Sequence, residues 1–488
     1  MSAIKKLASQ TAVYGLSSIV GRLLNYLLIP LYTNIFLPAE YGVVTELYSY
    51  VSFFAVIMTY GMETAFFRYV QKENIDTNKV YATSLISILS TALIFLFFGF
   101  IFIDNIAQWL NYENHAWYIL CFMLIIVIDA ITAIPFAKLR SENKAFKFAA
   151  IRLVNIFVNI ALNLFFILLC PIWQKANPNF VNNFYHPEIG VGYIFISNLV
   201  ASIITVLLLL PQFKIKFDFD KKLWNELLRY ALPLLVVGLA GMVNETADRI
   251  MLKYLLPVGS NVMAETGIYG ACYKISIIMT IFIQTFRYAA EPFFFSHSKN
   301  KGENQVYADV MKYFVIACAA IFLVTLLYID IVKFFVGKNY WAGLPIVPIL
   351  LLANWFLGIY FNLTVWYKLT NKTGYGAAIS IFGAVLTIVF NALLIPKLGY
   401  YGAACTTLIC YASMMLLSYY QGQKHFPINY DLKKIIGYIL CAIAIYLCSR
   451  LFVGLNLSIK LMINTALFFS FIIIVWMNEK GNLKALKA

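Results

Sequence analysis

Most of the ionisable residues worth reading in this chain stand inside runs that are otherwise apolar. In the stretch Asn244 to Ile275, Glu245, Asp248 and Arg249 fall at i, i+3 and i+4, one face of a helix. Pro257 and Gly259 stop that helix, and a second apolar one starts after Ala264-Glu265-Thr266-Gly267. The second carries Lys274, Gln284, Thr285 and Tyr288 on one side, with Arg287 and Glu291 beside them. Three earlier runs have similar stripes at steps of three, four or seven: Thr11, Tyr14, Ser18, Arg22 and Asn25; Thr45, Ser49, Ser52, Thr59 and Glu63; and Arg152, Asn155, Asn159 and Asn163. Asp129 stands alone in an apolar run. The cationic members suit an anion, because arginine offers a bidentate contact to phosphate oxygens.

Each stripe also has a plainer reading. Ser, Thr and Asn in apolar helices commonly join helices by hydrogen bonds. Arg249 has Glu245 and Asp248 as partners within reach, Arg287 has Glu291, and Arg152 lies near a helix end where it can snorkel. A basic group held deep in hydrocarbon costs a few kcal/mol or more, which favours a functional role for Arg22. Asp129 is a candidate site for a proton or sodium ion. The eight Cys lie in apolar runs without CxxC spacing and the four His are scattered in loops, so packing is expected for the thiols, with no metal site, no catalytic group and no cofactor.

The elements that position these residues follow from composition. The chain of 488 residues is 62% hydrophobic and only 12% charged, against roughly 25% charged in soluble domains. It reads as an all-α polytopic membrane protein with about 14 transmembrane helices. The candidate spans are 10–35, 43–69, 81–103, 116–137, 148–170, 190–211, 229–255, 266–292, 311–336, 345–369, 376–395, 400–420, 434–453 and 459–477. Lys5 and Lys6 lead into a full-length first span, so no cleaved signal peptide is expected. Lys and Arg concentrate in alternate loops: Arg68, Lys72 and Lys79; Lys138, Arg140, Lys144 and Lys147; Lys214, Lys216, Lys221 and Lys222. That asymmetry places both termini in the cytoplasm. It also accounts for the net charge of +15 without a nucleic-acid partner.

The longest outer loop, about 171–189, leaves no room for an extramembrane catalytic domain, and no GxxxxGK[ST] motif occurs. The halves repeat. Ala39-Glu40-Tyr41-Gly42 answers Ala264-Glu265-Thr266-Gly267, and Ala149-Ala150-Ile151 with Asn163 answers Ala377-Ala378-Ile379 with Asn391 at the same spacing. Gly190-Val191-Gly192 and Gly399-Tyr400-Tyr401-Gly402 then open the sixth and twelfth helices. Two six-helix bundles in parallel repeat, with two extra C-terminal helices, give lobes at 1–222 and 223–425 and an addition at 426–488. Such lobes can rock about a polar, partly cationic cavity and expose it to each side in turn.

Asp248-Arg249 with Leu252, Gly267-Ile268-Tyr269, Tyr273-Lys274-Ile275, Gly21-Arg22 and Leu37-Pro38-Ala39-Glu40-Tyr41-Gly42 together resemble the polysaccharide transporter family. These are the Wzx-type O-antigen flippases, in the superfamily of the MATE exporters and lipid II flippases. The resemblance spans essentially the whole chain. It implies a flippase of the bacterial inner membrane, not an enzyme, that moves undecaprenyl-pyrophosphate-linked oligosaccharide from the cytoplasmic to the periplasmic leaflet. It implies membrane lipids and polysaccharide polymerase or assembly proteins as partners, and coupling to a proton or sodium gradient. Arg22 would answer the helix-1 arginine of the lipid II flippases and meet the pyrophosphate. The expected cavity set is Arg22, Asn25, Glu63, Arg152, Asn159, Glu245, Asp248, Arg249, Lys274, Arg287 and Glu291.

Two other readings compete. A MATE-like drug or cation antiporter would want a cavity dominated by carboxylates or aromatics and usually 12 helices. A membrane polymerase or ligase would want a large outer loop with catalytic Arg or His and would lack the repeat. A scaffold would need no charges inside its spans.

Overall fold

A computed structural model describes residues 20–21, 23–72, 75–214, 218–257, 259–297, 304–370 and 372–485. Thr11, Tyr14, Ser18 and Arg22 lie outside the described residues, as does the side chain of Glu291. Among the described residues there is no strand. Thirteen helices are long and apolar enough to cross a membrane, and a shorter apolar one precedes them. In chain order they are α1 Leu23–Ile35, α2 Pro38–Val70, α3 Thr77–Ile101, α4 Glu113–Ser141, α5 Ala145–Ala176, α6 Gly192–Gln212 and α7 Lys221–Leu255. Then follow α8 Val262–Tyr288, α9 Gln305–Leu327, α10 Lys338–Leu369, α11 Gly374–Leu398, α12 Tyr400–His425, α13 Leu432–Arg450 and α14 Leu457–Lys480. The architecture is the all-α polytopic one expected, because in hydrocarbon a backbone must satisfy its polar groups within itself.

Local sequence sets the helix ends. Asp76 caps α3 by accepting from the Asn78 amide at 2.9 Å. Asp220 caps α7 by accepting from Lys222 and Leu223 amides at 2.9 and 3.0 Å. Those donors, Leu223 first and then the Lys79 ammonium at 3.2 Å, hold the Asp220 carboxyl below the usual carboxylate range. This cap starts α7 well before the apolar run at 229, because its first two turns are polar and hydropathy reads only the part in lipid. The loop expected at 171–189 holds short helical pieces instead, Cys170–Ala176, Pro178–Val181 and Pro187–Ile189. Helix α2 breaks at Tyr60 and Gly61, both with positive φ, and a Cβ on Gly61 would lie 2.8 Å from the Ala231 carbonyl oxygen. The break lets α2 seat closely on α7.

The chain divides into two compact units, Met1–Ile250 and Met251–Ala488. In the first, Met62, Phe66, Leu85, Ile88, Ile134 and Leu227 pack α2, α3, α4 and α7 into one apolar core. Helix α6 packs on both α4 and α5. In the second unit α12 packs in the same way on α10 and α11, while α8 and α9 lie on α10. Two glycines mark the equivalence. Gly190 has φ 51° and ψ −122° before α6, and Gly399 has φ 58° and ψ −141° before α12. Side chains other than glycine's are essentially excluded from this backbone region.

The last two helices are fastened to α9. Glu479, almost fully buried near the end of α14, meets the Lys312 ammonium at 3.0 Å and the Lys434 ammonium at 2.8 Å, and accepts from the Tyr438 hydroxyl at 2.9 Å. At the other end Asp330 meets Lys460 at 2.5 Å and Lys333 at 3.1 Å. Between them Asn464 donates to the Leu327 carbonyl at 2.6 Å.

Two outcomes follow. Glu479→Ala removes the α14 partner of the buried Lys312 ammonium, which keeps Asp309 at 3.1 Å, and should cost about 1.5–3 kcal/mol in unfolding of the purified protein; a loss under about 1 kcal/mol would show that the cluster does not hold α14. Burial pushes the Asp330 carboxyl up, but Lys460 and Lys333 outweigh it and hold it below its ordinary value. Its contribution is therefore full above about pH 4 and lost as pH falls through the lowered folded value. Thermal melts of wild type and Asp330→Asn should differ at pH 7 and converge towards pH 3.

Candidate functional site

Helix α5 presents Arg152, Asn155, Asn159 and Asn163 at steps of three and four, and each meets a different neighbour. Asn163 is fully buried and accepts from the Tyr32 hydroxyl of α1 at 2.9 Å. Its own amide donates to the Asn159 carbonyl at 2.7 Å and the Asn159 side-chain oxygen at 3.1 Å. Asn159 donates to Asn25 of α1 at 3.3 Å, and Asn155 donates to Thr205 of α6 at 2.9 Å. The result is a polar seam that ties α5 to α1 on one side and α6 on the other.

Arg152 ends the seam towards the basic loops. Arg152 is an exposed residue, and its guanidinium lies over the Phe136 ring of α4, 4.1 Å from the centroid. No carboxylate lies within ion-pair distance of it among the described residues. A cation stacked on an aromatic ring retains donors for an anion.

Asp129 lies on the same face of α4 as Phe136, two turns and about 10 Å along the axis. It is about 18 Å from the end of α4 at Ser141, near the middle of that 29-residue helix. Asp129 is an exposed residue, and the one side-chain hydrogen bond to its carboxylate is a long one of 3.4 Å from the Ser202 hydroxyl of α6. The charge of Arg152 reaches it, and its own charge reaches Tyr48 of α2. Tyr48 accepts from Asn198 of α6 at 2.8 Å. The first unit thus gathers one accessible cation and one accessible carboxylate, neither in an ion pair, along a wall of Asn, Ser, Thr and Tyr.

The other expected residues fall elsewhere. Glu63 forms an ion pair with Arg140, whose guanidinium also lies 4.7 Å from the Phe67 centroid. Asp248 is buried and accepts from the Arg249 amide at 2.8 Å. The Arg249 guanidinium donates to the Glu245 carbonyl at 3.0 Å and lies 3.9 Å from Asp248, while the Glu245 side chain is exposed. In the second unit Arg287 lies 4.1 Å from the Phe361 centroid, with Tyr360 and Tyr367 in its field, and Lys274 is half-buried. The structure therefore brings Asn25, Arg152 and Asn159 into one seam, and Glu245, Asp248 and Arg249 into one cluster. Tyr32, Tyr48, Asn198, Ser202 and Thr205 join these contacts without standing among the residues expected from the sequence. The last three carry the signal of the other stripes, since positions 198, 202 and 205 share one helical face.

Residues 7–298 match the family described as polysaccharide biosynthesis protein. An uncharacterised membrane protein of Methanocaldococcus jannaschii is 25% identical over 482 residues, which covers 91% of this chain and 89% of that protein. Among solved structures, the lipid II flippase MurJ in an inward closed conformation is similar with a TM-score of 0.72 at 14% identity, covering 95% of this chain and 99% of that one. An inward-facing multidrug resistance transporter of the MATE family gives 0.65 at 13% identity, covering 90% and 99%. These structural likenesses establish the fold.

The seam yields a paired measurement. Asn391 is the repeat counterpart of Asn163 and is equally buried, yet it reaches only the Met251 sulfur at 3.7 Å and its oxygen has no partner. Asn163→Ala should cost about 1–3 kcal/mol more than Asn391→Ala, because it alone leaves a buried hydroxyl unpaired. Equal losses in denaturation of the purified variants would mean that the seam contributes nothing to the first unit.

Proposed function

Since the chain belongs to the polysaccharide biosynthesis protein family, we propose that it is a flippase for oligosaccharide units carried on a polyprenyl pyrophosphate. In a bacterial inner membrane the carrier is undecaprenyl pyrophosphate, taken from the cytoplasmic leaflet and released in the periplasmic one by alternating access. Both termini lie in the cytoplasm, where the basic loops hold them. The work is transport, with no bond made or broken, and polymerase or assembly proteins receive the product.

The observation that supports this reading is Arg152, about 10 Å along α5 from its basic end, an exposed residue with no carboxylate at ion-pair distance among the described residues. An arginine inside a span commonly pairs with an acid or with backbone carbonyls. This one rests on a ring, from which a diphosphate can draw it into a bidentate contact. The Asn and Ser side chains along the seam suit sugar hydroxyls, which both donate and accept.

The exposed Asp129 favours a second reading, in which the same wall accepts an organic cation as in a multidrug exporter. One experiment separates the two. In cells lacking the chromosomal gene, Arg152→Ala should lower surface glycan at least tenfold at normal protein levels, with Arg152→Lys partly restoring it. Wild-type glycan in Arg152→Ala, with Asp129→Asn instead making the cells sensitive to cationic drugs, would transfer the case to the exporter.

A further inference from the structure

Helices α2 and α3 both pack on α4 but meet each other little. A cavity of about 820 Å³ opens between them, at the end of the unit remote from Arg68, Lys79 and Lys138. Its back wall is α4, through Ile119, Phe122 and Ile126. The Phe54 and Phe95 rings, with centroids 5.5 Å apart, bridge α2 and α3 at its inner end. At the other end the short helix Ile103–Trp109 covers it with Ile106 and Trp109. The seam between α3 and α4 is tight, since a Cβ on Gly99 would strike the Met123 methyl. The volume falls among those of ligand sites, roughly 300–1,000 Å³.

No lining side chain carries a charge. The Thr91 hydroxyl is engaged by the Ser87 and Ile88 carbonyls of its own helix, at 3.2 and 3.0 Å. A hydrocarbon chain therefore fits, and a sugar or a diphosphate does not. Lipid tails are as apolar as this lining, so the cavity has no hydrophobic preference for one chain over another. Selection falls to the head group. Helices α2, α3 and α4 carry no Lys or Arg between residues 38 and 67 or between 80 and 137. The covering helix exposes Asp104, Asn105 and Gln108 on the side away from the cavity, and the exposed Glu113 follows. The one titratable base in that stretch is His115, stacked on Tyr118 at 4.8 Å. An anionic head, the cargo's diphosphate included, would meet like charge at this mouth, and an ammonium would meet its opposite.

We propose that this cavity seats one acyl chain of a phospholipid whose head group ends in a primary ammonium, of the phosphatidylethanolamine type, with the ammonium over Asp104. The site is separate from the polar seam. Phe122 stands between the two, lining the cavity on one side and meeting the Tyr48 ring edge-on at 5.2 Å on the other. A chain seated here fills the gap between α2 and α3 and holds α2, the helix of Tyr48, in position.

The test is lipid retention. The purified full-length protein is offered dioleoylphosphatidylethanolamine, dioleoylphosphatidylglycerol and undecaprenyl phosphate in equal amounts in detergent, and the lipids it keeps are counted by native mass spectrometry. Wild type should keep phosphatidylethanolamine over phosphatidylglycerol by about threefold to fivefold, the size of an exposed ion pair. Asp104→Asn should abolish that preference. Ile94→Trp, which fills the cavity from an exposed position, should lower the retained phosphatidylethanolamine about threefold or more. Asp104 is exposed, so its variant keeps the inference open to test if Ile94→Trp does not fold. Equal retention of the two phospholipids, a preference untouched by Asp104→Asn, or retention untouched by a folded Ile94→Trp would each overturn the inference. Undecaprenyl phosphate kept in preference, and lost in Ile94→Trp, would assign the cavity to the cargo's own chain and refute the phospholipid. None of these results involves Arg152, so the flippase reading stands or falls separately.

Discussion

The cost of holding a charge away from water governs this molecule more than any other term. The chain meets that cost in two ways. Glu479 is closed in by Lys312, Lys434 and Tyr438, all at 3.0 Å or less, so its charge is cancelled where it sits. Asp330 is treated in the same way by Lys460 and Lys333. These clusters are fastenings: they fix α13 and α14 to α9. Asp129 and Arg152 are the opposite case. They lie within each other's field, yet one rests on a hydroxyl and the other on an aromatic ring. A chain able to pair charges closely elsewhere leaves these two apart, and a pair held apart is one that a third charge can rearrange.

The repeat sharpens this contrast, because its two copies share their packing without sharing their chemistry. Helices α6 and α12 each seat on the two preceding helices, and Gly190 and Gly399 adopt the same glycine-only backbone before them. Along α5 and α11, however, the matched positions diverge. Arg152 is answered by Ser380, Asn155 by Gly383 and Asn159 by Thr387, and only Asn163 keeps its type, as Asn391. Even there the partners differ, a tyrosine hydroxyl in one unit and a methionine sulfur in the other. The fold is duplicated, and the polar seam belongs to the first copy.

What could be seen in the sequence follows the same division. Helix number, alternation of basic loops and the repeat are carried by composition and periodicity over tens of residues, which local errors do not disturb. The start of α7 was missed because its Asp220 cap and polar first turns lie outside the apolar run. Site residues were harder to read, because a side chain's partner comes from another helix. Glu63 looks like part of a polar stripe until Arg140 meets it, and Asp129 looks isolated until α6 brings Ser202. The stripe on α6 was legible by spacing alone, but Asn198, Ser202 and Thr205 carry no charge and drew no notice beside the arginines.

Being unpaired has a further consequence for how Arg152 can act. If it were fixed to Asp129 by a short ion pair, a phosphate would have to break that pair before gaining anything, and in a poorly solvated site the loss would be large. Stacking on Phe136 is worth about 1–2 kcal/mol, so the guanidinium can leave the ring at small cost. Asp129 acts on Arg152 through its field rather than through contact. A tightly closed cluster such as the one around Glu479 offers its charges no such freedom.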